Sequence, residues 1–264
     1  MNSTEKVTYD SYLRITEMLE LQQPLSAPEE HDETLFIIIH QVYELWFKQM
    51  LHEGDFLVRT FLADDQPTAC STLKRMLTIL KTMVAQIDVL ETMSPVSFQS
   101  FRRFLKSSSG FQSAQFREFE FLLGHKRETP LGNYDEDSPQ RKRLRERLDA
   151  PGIWDGFCRW LDIRGFDVPK DLLDRDVSET CPASPELQKQ LVSIYHEHPE
   201  ERTVCELLVD LDEGIQEWRY RHVKMVERTI GSLQGTGGSP GAAYLRGTLF
   251  HSLFPDLWAI RSEL

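Results

Sequence analysis

Two histidines lie in otherwise apolar segments that have helical spacing. His40 lies within LFIIIHQVYELWF, residues 35–47, and His222 lies within WRYRHVKMV, residues 218–226. An imidazole can donate and accept hydrogen bonds, ligate a metal ion or carry a proton near neutral pH. Leaving such a ring unpaired in an apolar interior costs about 1–3 kcal/mol. One histidine of this kind usually has ordinary partners in a core, but two on long helices indicate a ligand between them.

Helical periodicity places both histidines on the inward faces of their helices. His40 shares a face with Phe36 and Phe47, and His222 continues an apolar stripe that runs through Trp218. A haem between the two helices fits this arrangement, because one imidazole can ligate the iron while the other lines the opposite side. The spacing does not decide which histidine has which role.

A basic residue among aromatic residues gives a second candidate site. Phe98 and Arg102 are four residues apart, so they share a helical face. A guanidinium group there suits the bidentate binding of a planar anion. The alternative is an arginine whose stem covers apolar surface while its charged head reaches water. Ser109 and Gly110 follow, with a hydroxyl and approachable backbone amides that suit a carboxylate or a phosphate.

A glycine-rich segment, GTGGSPG at residues 235–241, follows soon after His222. It has neither the lysine of a phosphate-binding P-loop nor the GxGxxG spacing that follows a strand in dinucleotide sites. It is either a flexible linker or a loop that closes over a small ligand. The second interpretation gives Thr236, in its centre, a ligand to contact.

The remaining histidines and the cysteines do not indicate a site of their own. The HxH pair of His196 and His198 has no nearby third ligand, so a metal site is the weaker interpretation. The four cysteines are far apart and include no CxxC pair, which fits neither a zinc site nor a disulfide scaffold. Solvated or capping roles are expected for the other histidines, which are His31, His52, His125 and His251.

The composition limits the classes of partner. The chain has 264 residues, of which 40% are hydrophobic and 27% charged, and its formal net charge is −12. Because nucleic-acid binders carry basic surfaces, this acidic balance disfavours them. No run of about 18 apolar residues is present to span a bilayer, and the N-terminus has no secretory signal pattern. We therefore expect neither a nucleic acid nor a membrane as a partner, and a cytoplasmic location.

The elements that position these residues are predicted to be helices. Helical periodicity dominates, so we predict an all-α helical bundle with long antiparallel helices. No linker divides the chain, which predicts one domain, 1–264. Residues 124–142 have turn signals and are expected to be an exposed loop, within a variable excursion at 124–182. Helices are predicted at 5–22, 33–62, 68–93, 138–149, 153–162, 185–194 and 199–232, with a shorter one in SFQSFRRFL and a closing one in AYLRGTLFHSLF.

Five segments in sequence order resemble the tryptophan 2,3-dioxygenase family, and they extend over nearly the whole chain. The resemblance implies an all-α bundle that encloses haem b, one per subunit, with ferrous iron in the active form. It also implies a homotetramer that adds both atoms of O2 across the indole C2–C3 bond of L-tryptophan. The product would be N-formyl-L-kynurenine, formed in the first step of the kynurenine pathway. The segments are YDSYL (9–13), HDETLFIIIHQVYELWFKQMLHE (31–53), SFRRFLKSSSGFQSAQFRE (100–118), WRYRHVKMVERTIG (218–231) and GTGGSPGAAYL (235–245).

The resemblance also implies roles for single residues. His222 matches the histidine that binds haem iron, and His40 matches the one that hydrogen-bonds the indole N–H. Phe36 and Phe98 match the walls that sandwich the indole ring. Arg102 matches the arginine that pairs with the substrate carboxylate. Because an indole N–H is a very weak acid, we expect His40 to orient the substrate rather than act as a base.

Further residues match the edges of the family's site. Thr236 matches the threonine that contacts the amino-acid head of the substrate. Ser109 and Gly110 match the haem and oxygen side of the pocket. The competing interpretations are a haem-binding sensor or carrier without turnover and a purely structural bundle. Residues 1–25 resemble a segment that reaches the active site of a neighbouring subunit through Tyr9, Tyr12 and Leu13.

Overall fold

The structure is a computed structural model that describes residues 6–235 and 242–264. Within these two ranges every regular element is helical, so the all-α prediction is confirmed. The α-helices are α1 (Tyr9–Leu13), α2 (Ile15–Leu19), α3 (His31–Leu62), α4 (Gln66–Leu90), α5 (Pro95–Arg102), α6 (Ala114–Leu122), α7 (Pro139–Leu148), α8 (Ile153–Ile163), α9 (Lys170–Leu173), α10 (Pro185–Glu197), α11 (Pro199–Ile230), α12 (Ala242–Arg246) and α13 (Pro255–Ala259).

Three long helices, α3, α4 and α11, form the frame of the bundle. Only residues 63–65 join α3 to α4, so these two helices are antiparallel. α11 runs parallel to α4, because Gln66 donates to the carbonyl of Glu200 near their first turns (3.4 Å) and Arg221 pairs with Asp88 near their last turns. α3 is therefore antiparallel to both. Its N-terminal half faces the C-terminal half of α11, and the two candidate histidines lie in those halves.

The ends of the long helices follow signals in the sequence. Asp65 caps α4 by accepting a hydrogen bond from the amide of Thr68 (3.1 Å), and Pro67 lies in the first turn. Pro199 likewise begins α11, and Gly231, with a φ of 58°, follows its last residue. The observed bounds of these helices agree with the bounds predicted from periodicity to within three residues.

The single N-terminal helix predicted at 5–22 is wrong. Two short helices lie there instead, and Arg14 between them is left-handed, with a φ of 53°. Thr8 and Ser11 form a capping box at the start of α1. No residue of α1 or α2 is buried. Because packing of an apolar face provides most of the stability of a helix in a protein, an unpacked segment does not sustain a longer one.

Two stretches differ from the sequence prediction because charged residues are buried in them. α6 was not predicted, and Arg117, Glu118 and Glu120 occupy buried positions on it. The loop expected to be exposed at 124–142 is partly buried, and Lys126 donates to three backbone carbonyls at the end of α7 and just beyond it. Partners that are distant in sequence satisfy these groups, which a polarity pattern does not reveal.

The predicted closing helix is also shorter, since α12 ends at residue 246 and α13 follows separately.

Part of the predicted excursion contributes to the core. α8 packs against α3, with Trp154, Phe157 and Trp160 buried. Gly156 allows this close approach, because a side-chain carbon there would lie 3.4 Å from the Cα atom of Val58 on α3. The C-terminal half of α3 is therefore core, and its N-terminal half carries the candidate site residues.

Candidate active site

One cavity lies between α3, α5, α6 and α11. The volume that the centre of a water molecule can occupy there is about 250 Å³. Most of the lining residues are aromatic or aliphatic, as is usual in ligand pockets. The structure thus brings separate stretches of chain to one site. Seven residues that the sequence singled out line it together, namely Phe36, His40, Phe98, Arg102, Ser109, Gly110 and His222.

The surroundings of His40 fix the state of its ring. Its Nδ1 lies 2.7 Å from the carbonyl oxygen of Phe36, one turn earlier on α3. Because a carbonyl only accepts, Nδ1 carries the hydrogen and Nε2 keeps its lone pair. Burial lowers the pKa of His40, against the opposing effects of the Phe36 carbonyl and Glu44, so the ring is neutral at pH 7. His40 therefore offers one hydrogen-bond acceptor at the cavity.

Aromatic rings form the wall beside His40. The ring centroids of Phe36 and His40 are 4.1 Å apart, and those of Phe36 and Phe98 are 5.8 Å apart. Phe101 completes the cluster, at 5.6 Å from Phe36 and 5.5 Å from Phe98. These separations are those of aromatic rings in contact. A flat aromatic ligand in the cavity would extend this cluster and lie beside the acceptor of His40.

His222 lies one turn after Trp218 on α11. The two rings are stacked, with centroids 5.2 Å apart and planes 4° from parallel. Across residues 6–235 and 242–264, no group forms a hydrogen bond with a ring nitrogen of His222. Burial, with smaller contributions from His40 and Arg117, lowers its pKa to about 4. In the described part of the chain His222 is therefore a neutral imidazole with free ring nitrogens, the state in which histidine ligates a metal.

The guanidinium group of Arg102 lies at the cavity and contacts backbone. Its Nη2 donates to the carbonyl of Gln234 at 2.5 Å. Its Nε is buried and has no partner in the described part of the chain. These contacts do not support the alternative of an arginine whose head lies in water. A buried donor beside the cavity instead offers a position for an acceptor atom of a ligand.

The residues after α5 bring backbone to the cavity. Ser109 and Gly110 lie at the start of a 3₁₀ turn, where the Ser109 hydroxyl accepts from the amide of Phe111 at 3.3 Å. A side-chain carbon at Gly110 would meet nothing within 4 Å. Packing against the described residues therefore does not require this glycine, and its lack of a side chain leaves space at the cavity.

A buried charge cluster on the cavity wall was not predicted. Glu120 accepts from Arg117 and Arg127 at 2.6 Å each, and its second oxygen accepts from Arg219 at 3.4 Å. Arg117, Glu120 and Arg219 all line the cavity. The spacing of Arg117 and Glu120 was an available signal, but solvated helix faces have the same pattern. His125, expected to be solvated, is half-buried beside this cluster, and burial with nearby Arg127 lowers its pKa to about 4.

Four predicted site residues do not lie in the described cavity. Tyr9, Tyr12 and Leu13 are 76%, 77% and 44% exposed, and they do not line it. Thr236 lies outside the described residues. The cavity also has lining residues that the sequence did not single out as site residues, including Tyr43, Glu44, Phe116 and Thr248.

The chain is similar to known proteins over nearly its whole length. The family model described as Tryptophan 2,3-dioxygenase matches residues 1–147 and 186–264. A tryptophan 2,3-dioxygenase of Herpetosiphon aurantiacus is 54% identical over 261 residues, which cover 99% of this chain and 100% of the relative. A second tryptophan 2,3-dioxygenase, of Kineococcus radiotolerans, is 45% identical over 264 residues, which cover 99% of this chain and 92% of the relative. The chain belongs to the tryptophan 2,3-dioxygenase family. The resemblance inferred from five motifs is thereby confirmed.

All seven described site residues lie in the ranges that the tryptophan 2,3-dioxygenase family model matches. The unmatched residues between those ranges include α8, which belongs to the core rather than to the cavity. Throughout residues 6–235 and 242–264, no helix is long and apolar enough to cross a membrane. In the same ranges, no group of three or more His, Cys, Asp or Glu residues is placed to hold a metal ion.

Proposed function

We propose that this chain is a haem-dependent enzyme that adds both atoms of O2 across the indole C2–C3 bond of L-tryptophan. The product is N-formyl-L-kynurenine, and the reaction opens the kynurenine pathway. Membership of the tryptophan 2,3-dioxygenase family supports the reaction. The observation that carries the assignment to this cavity is a pair of neutral imidazoles, His40 and His222, from two helices.

The described residues fit haem b by their donor chemistry. His222 would ligate the iron, because its ring is neutral, has no hydrogen-bond partner among the described residues and lies at an apolar cavity. Ser109 and Gly110 lie on the haem and oxygen side of the pocket. When bound, ferrous haem supplies the activation of O2, which protein side chains cannot provide. The chain itself supplies the iron ligand, the apolar surroundings and the position of the substrate.

The remaining site residues orient L-tryptophan. Nε2 of His40 accepts a hydrogen bond from the indole N–H, since Nδ1 is already used by the Phe36 carbonyl. Phe36 and Phe98 hold the indole plane between them. Arg102 binds the carboxylate, and Thr236 contacts the amino-acid head. Fixing both ends of the substrate places the indole C2–C3 bond for reaction, and such positioning is a large part of catalysis.

His40 acts in this scheme as an orienting group. The indole N–H is too weak an acid for a neutral imidazole to deprotonate readily. Burial also lowers the pKa of His40, which makes its ring a weaker base than an exposed histidine. The proton therefore stays on the indole nitrogen while His40 holds it in place.

We also propose that the enzyme is a cytoplasmic homotetramer whose N-terminal segment, residues 1–25, completes the site of a neighbouring subunit. Tyr9 and Tyr12 are largely exposed in the single chain, and no residue of α1 or α2 is buried. Large side chains that are left exposed together on one segment are typical of an interface between subunits. Tyr9, Tyr12 and Leu13 supply its contacts to the substrate.

Two measurements on purified protein test this function. We expect a Soret band, and oxygen consumption that depends on L-tryptophan and yields a formylkynurenine chromophore. A Soret band without turnover would support a sensor or carrier instead, and no haem at all would support a structural bundle. His222→Ala should lose haem or bind it without activity. A variant with the normal haem spectrum and full turnover would refute the role of His222.

A further inference from the structure

The charge cluster at the cavity wall has more positive than negative charge. Three guanidinium groups, those of Arg117, Arg127 and Arg219, share the single carboxylate of Glu120. Arg117 and Arg219 are each 5% exposed, and Glu120 is 3% exposed. Burial alone would raise the pKa of Glu120, but the three arginines lower it, so the carboxylate is ionised. The cluster therefore has two positive charges that Glu120 does not neutralise.

Within the described residues, Glu120 is the one acidic group that forms an ion pair with these three arginines. Asp212 on α11 raises the pKa of Arg219 through its charge. It accepts hydrogen bonds from the backbone amides of Leu253 and Phe254 and from the Trp258 indole, and it forms no ion pair with Arg219. Glu44 on α3 accepts from Gln115 on α6.

The other acidic group of α6, Glu118, pairs with Arg143 on α7. Burial lowers the pKa of Arg219, and the nearby Arg127 and Arg117 add to this effect, although Glu120 and Asp212 oppose it. Among the described residues, the guanidinium of Arg219 has only two long hydrogen bonds, of 3.4 Å each, to Glu120 and to the carbonyl of Thr248.

The unneutralised charge lies where a ligand can reach it. Arg117 and Arg219 line the main cavity, Arg117 from α6 and Arg219 from α11. Arg117 also borders a second, smaller hollow, together with Arg127, Thr129 and Asn133. The main cavity therefore adjoins this hollow at Arg117. A buried positive charge at a cavity is stabilised when an anionic ligand brings the opposite charge.

We propose that Arg117 and Arg219 bind the two acidic groups of the molecule that fills the cavity. Given the proposed function, on which this inference rests, these groups are the propionate carboxylates of haem. Glu120 is a positioning residue, because it holds the guanidinium groups together before the ligand arrives. The two charges in excess of Glu120 match the two carboxylates of one haem. One wall of the cavity therefore binds the charged edge of the cofactor.

The test compares haem with its dimethyl ester, in which both carboxylates are neutral. Haem-free wild type and Arg117→Gln are titrated with each porphyrin, and the dissociation constants are read from the Soret absorbance. Losing one charge-assisted contact corresponds to roughly a tenfold loss of affinity. We expect wild type to bind haem at least about tenfold more tightly than the ester. Arg117→Gln should lose about that factor for haem and little for the ester.

Two further variants separate this role from a purely structural one. Arg219→Gln should reproduce the selective loss, and Arg117→Lys should retain most of the preference for haem. Arg143→Gln removes a guanidinium group that pairs with α6 but does not line the cavity, so it should preserve the preference. In the haem-free protein, Arg117→Gln should not lower the melting temperature, because Glu120 keeps two arginine partners and the excess charge decreases.

The outcomes distinguish this inference from the function on which it rests. The inference would be overturned if Arg117→Gln and Arg219→Gln lost affinity for haem and for its ester by the same factor. It would also be overturned if wild type bound both porphyrins with equal affinity. A lower melting temperature of haem-free Arg117→Gln with an unchanged preference for haem would also overturn it, because Arg117 would then be structural. A wild type that binds neither porphyrin would refute the proposed function itself.

Discussion

The lowered pKa of His222, whose ring lines the cavity, predicts that acid destabilises the haem-free protein. The pKa of this ring is about 4 in the folded chain, against an ordinary value of 6.5. Between these two values the unfolded chain takes up a proton at the ring and the folded chain does not, so acid favours unfolding. From pH 7 to pH 5 the free energy of unfolding should fall by about 2 kcal/mol for this one histidine. The loss is complete only below about pH 3, where the folded ring is protonated as well.

The assay compares haem-free wild type with His222→Gln. Urea unfolding followed by far-ultraviolet circular dichroism at both pH values gives the free energies of unfolding. Glutamine does not titrate, so the fall from pH 7 to pH 5 should be smaller in the variant by about 2 kcal/mol. His52→Gln, at an exposed position of the same protein, controls for the substitution itself.

A second histidine gives an independent comparison. Burial and Arg127 lower the pKa of His125 to about 4 as well, so His125→Gln should reduce the acid dependence by a similar amount. If His222→Gln showed the same fall as wild type while His125→Gln showed a smaller one, the reasoning about His222 would be refuted. The ring would then be accessible to protons in the folded protein, and it would not be the neutral ligand that the site requires.

Three further predictions concern other residues. Arg102→Ala should raise KM for L-tryptophan roughly tenfold or more, but it should raise KM much less for tryptamine, which has no carboxylate. If steady-state oxygen consumption showed the same rise in KM for both substrates, Arg102 would be structural. His40→Ala should keep the Soret band and lower kcat only in part, whereas a complete loss of turnover would indicate an obligatory base. Asp212→Ala should lower the free energy of unfolding by about 3 kcal/mol in urea titrations, because the buried carboxylate accepts from the amides of Leu253 and Phe254; an unchanged value would contradict this role.

Local periodicity was sufficient to predict the long helices. α3 and α11 each have 32 residues with apolar positions at helical spacing, and Pro199 or Gly231 marks an end. The same reasoning failed at the N-terminus, where Arg14 interrupts a segment whose two short helices have no buried residue. It also missed α6, where charged residues such as Arg117 occupy buried positions. Periodicity predicts a helix well when its buried face is apolar and poorly otherwise.

The sequence predicted which residues form the candidate site, but it did not predict how they are placed relative to one another. Spacing indicated that His40 and His222 face inward, and the family resemblance implied their roles. His40 and His222 line one cavity because of the directions in which α3, α4 and α11 run. Contacts between distant residues mark those directions, such as Arg221 with Asp88, which are 133 positions apart. The sequence did not contain a local signal for such pairs.

The sequence by itself determined the family, the long helices and the inward faces of two histidines, because side-chain identity and local spacing encode them. Only the tertiary structure decided the states of the site's groups. The carbonyl of Phe36 places the ring hydrogen of His40 on Nδ1. Glu120 accepts a hydrogen bond from Arg219, which lies 99 positions away in the sequence. The physical reason is that the free energy of a buried polar or charged group depends on the partners around it. Those partners come together only when the chain has folded.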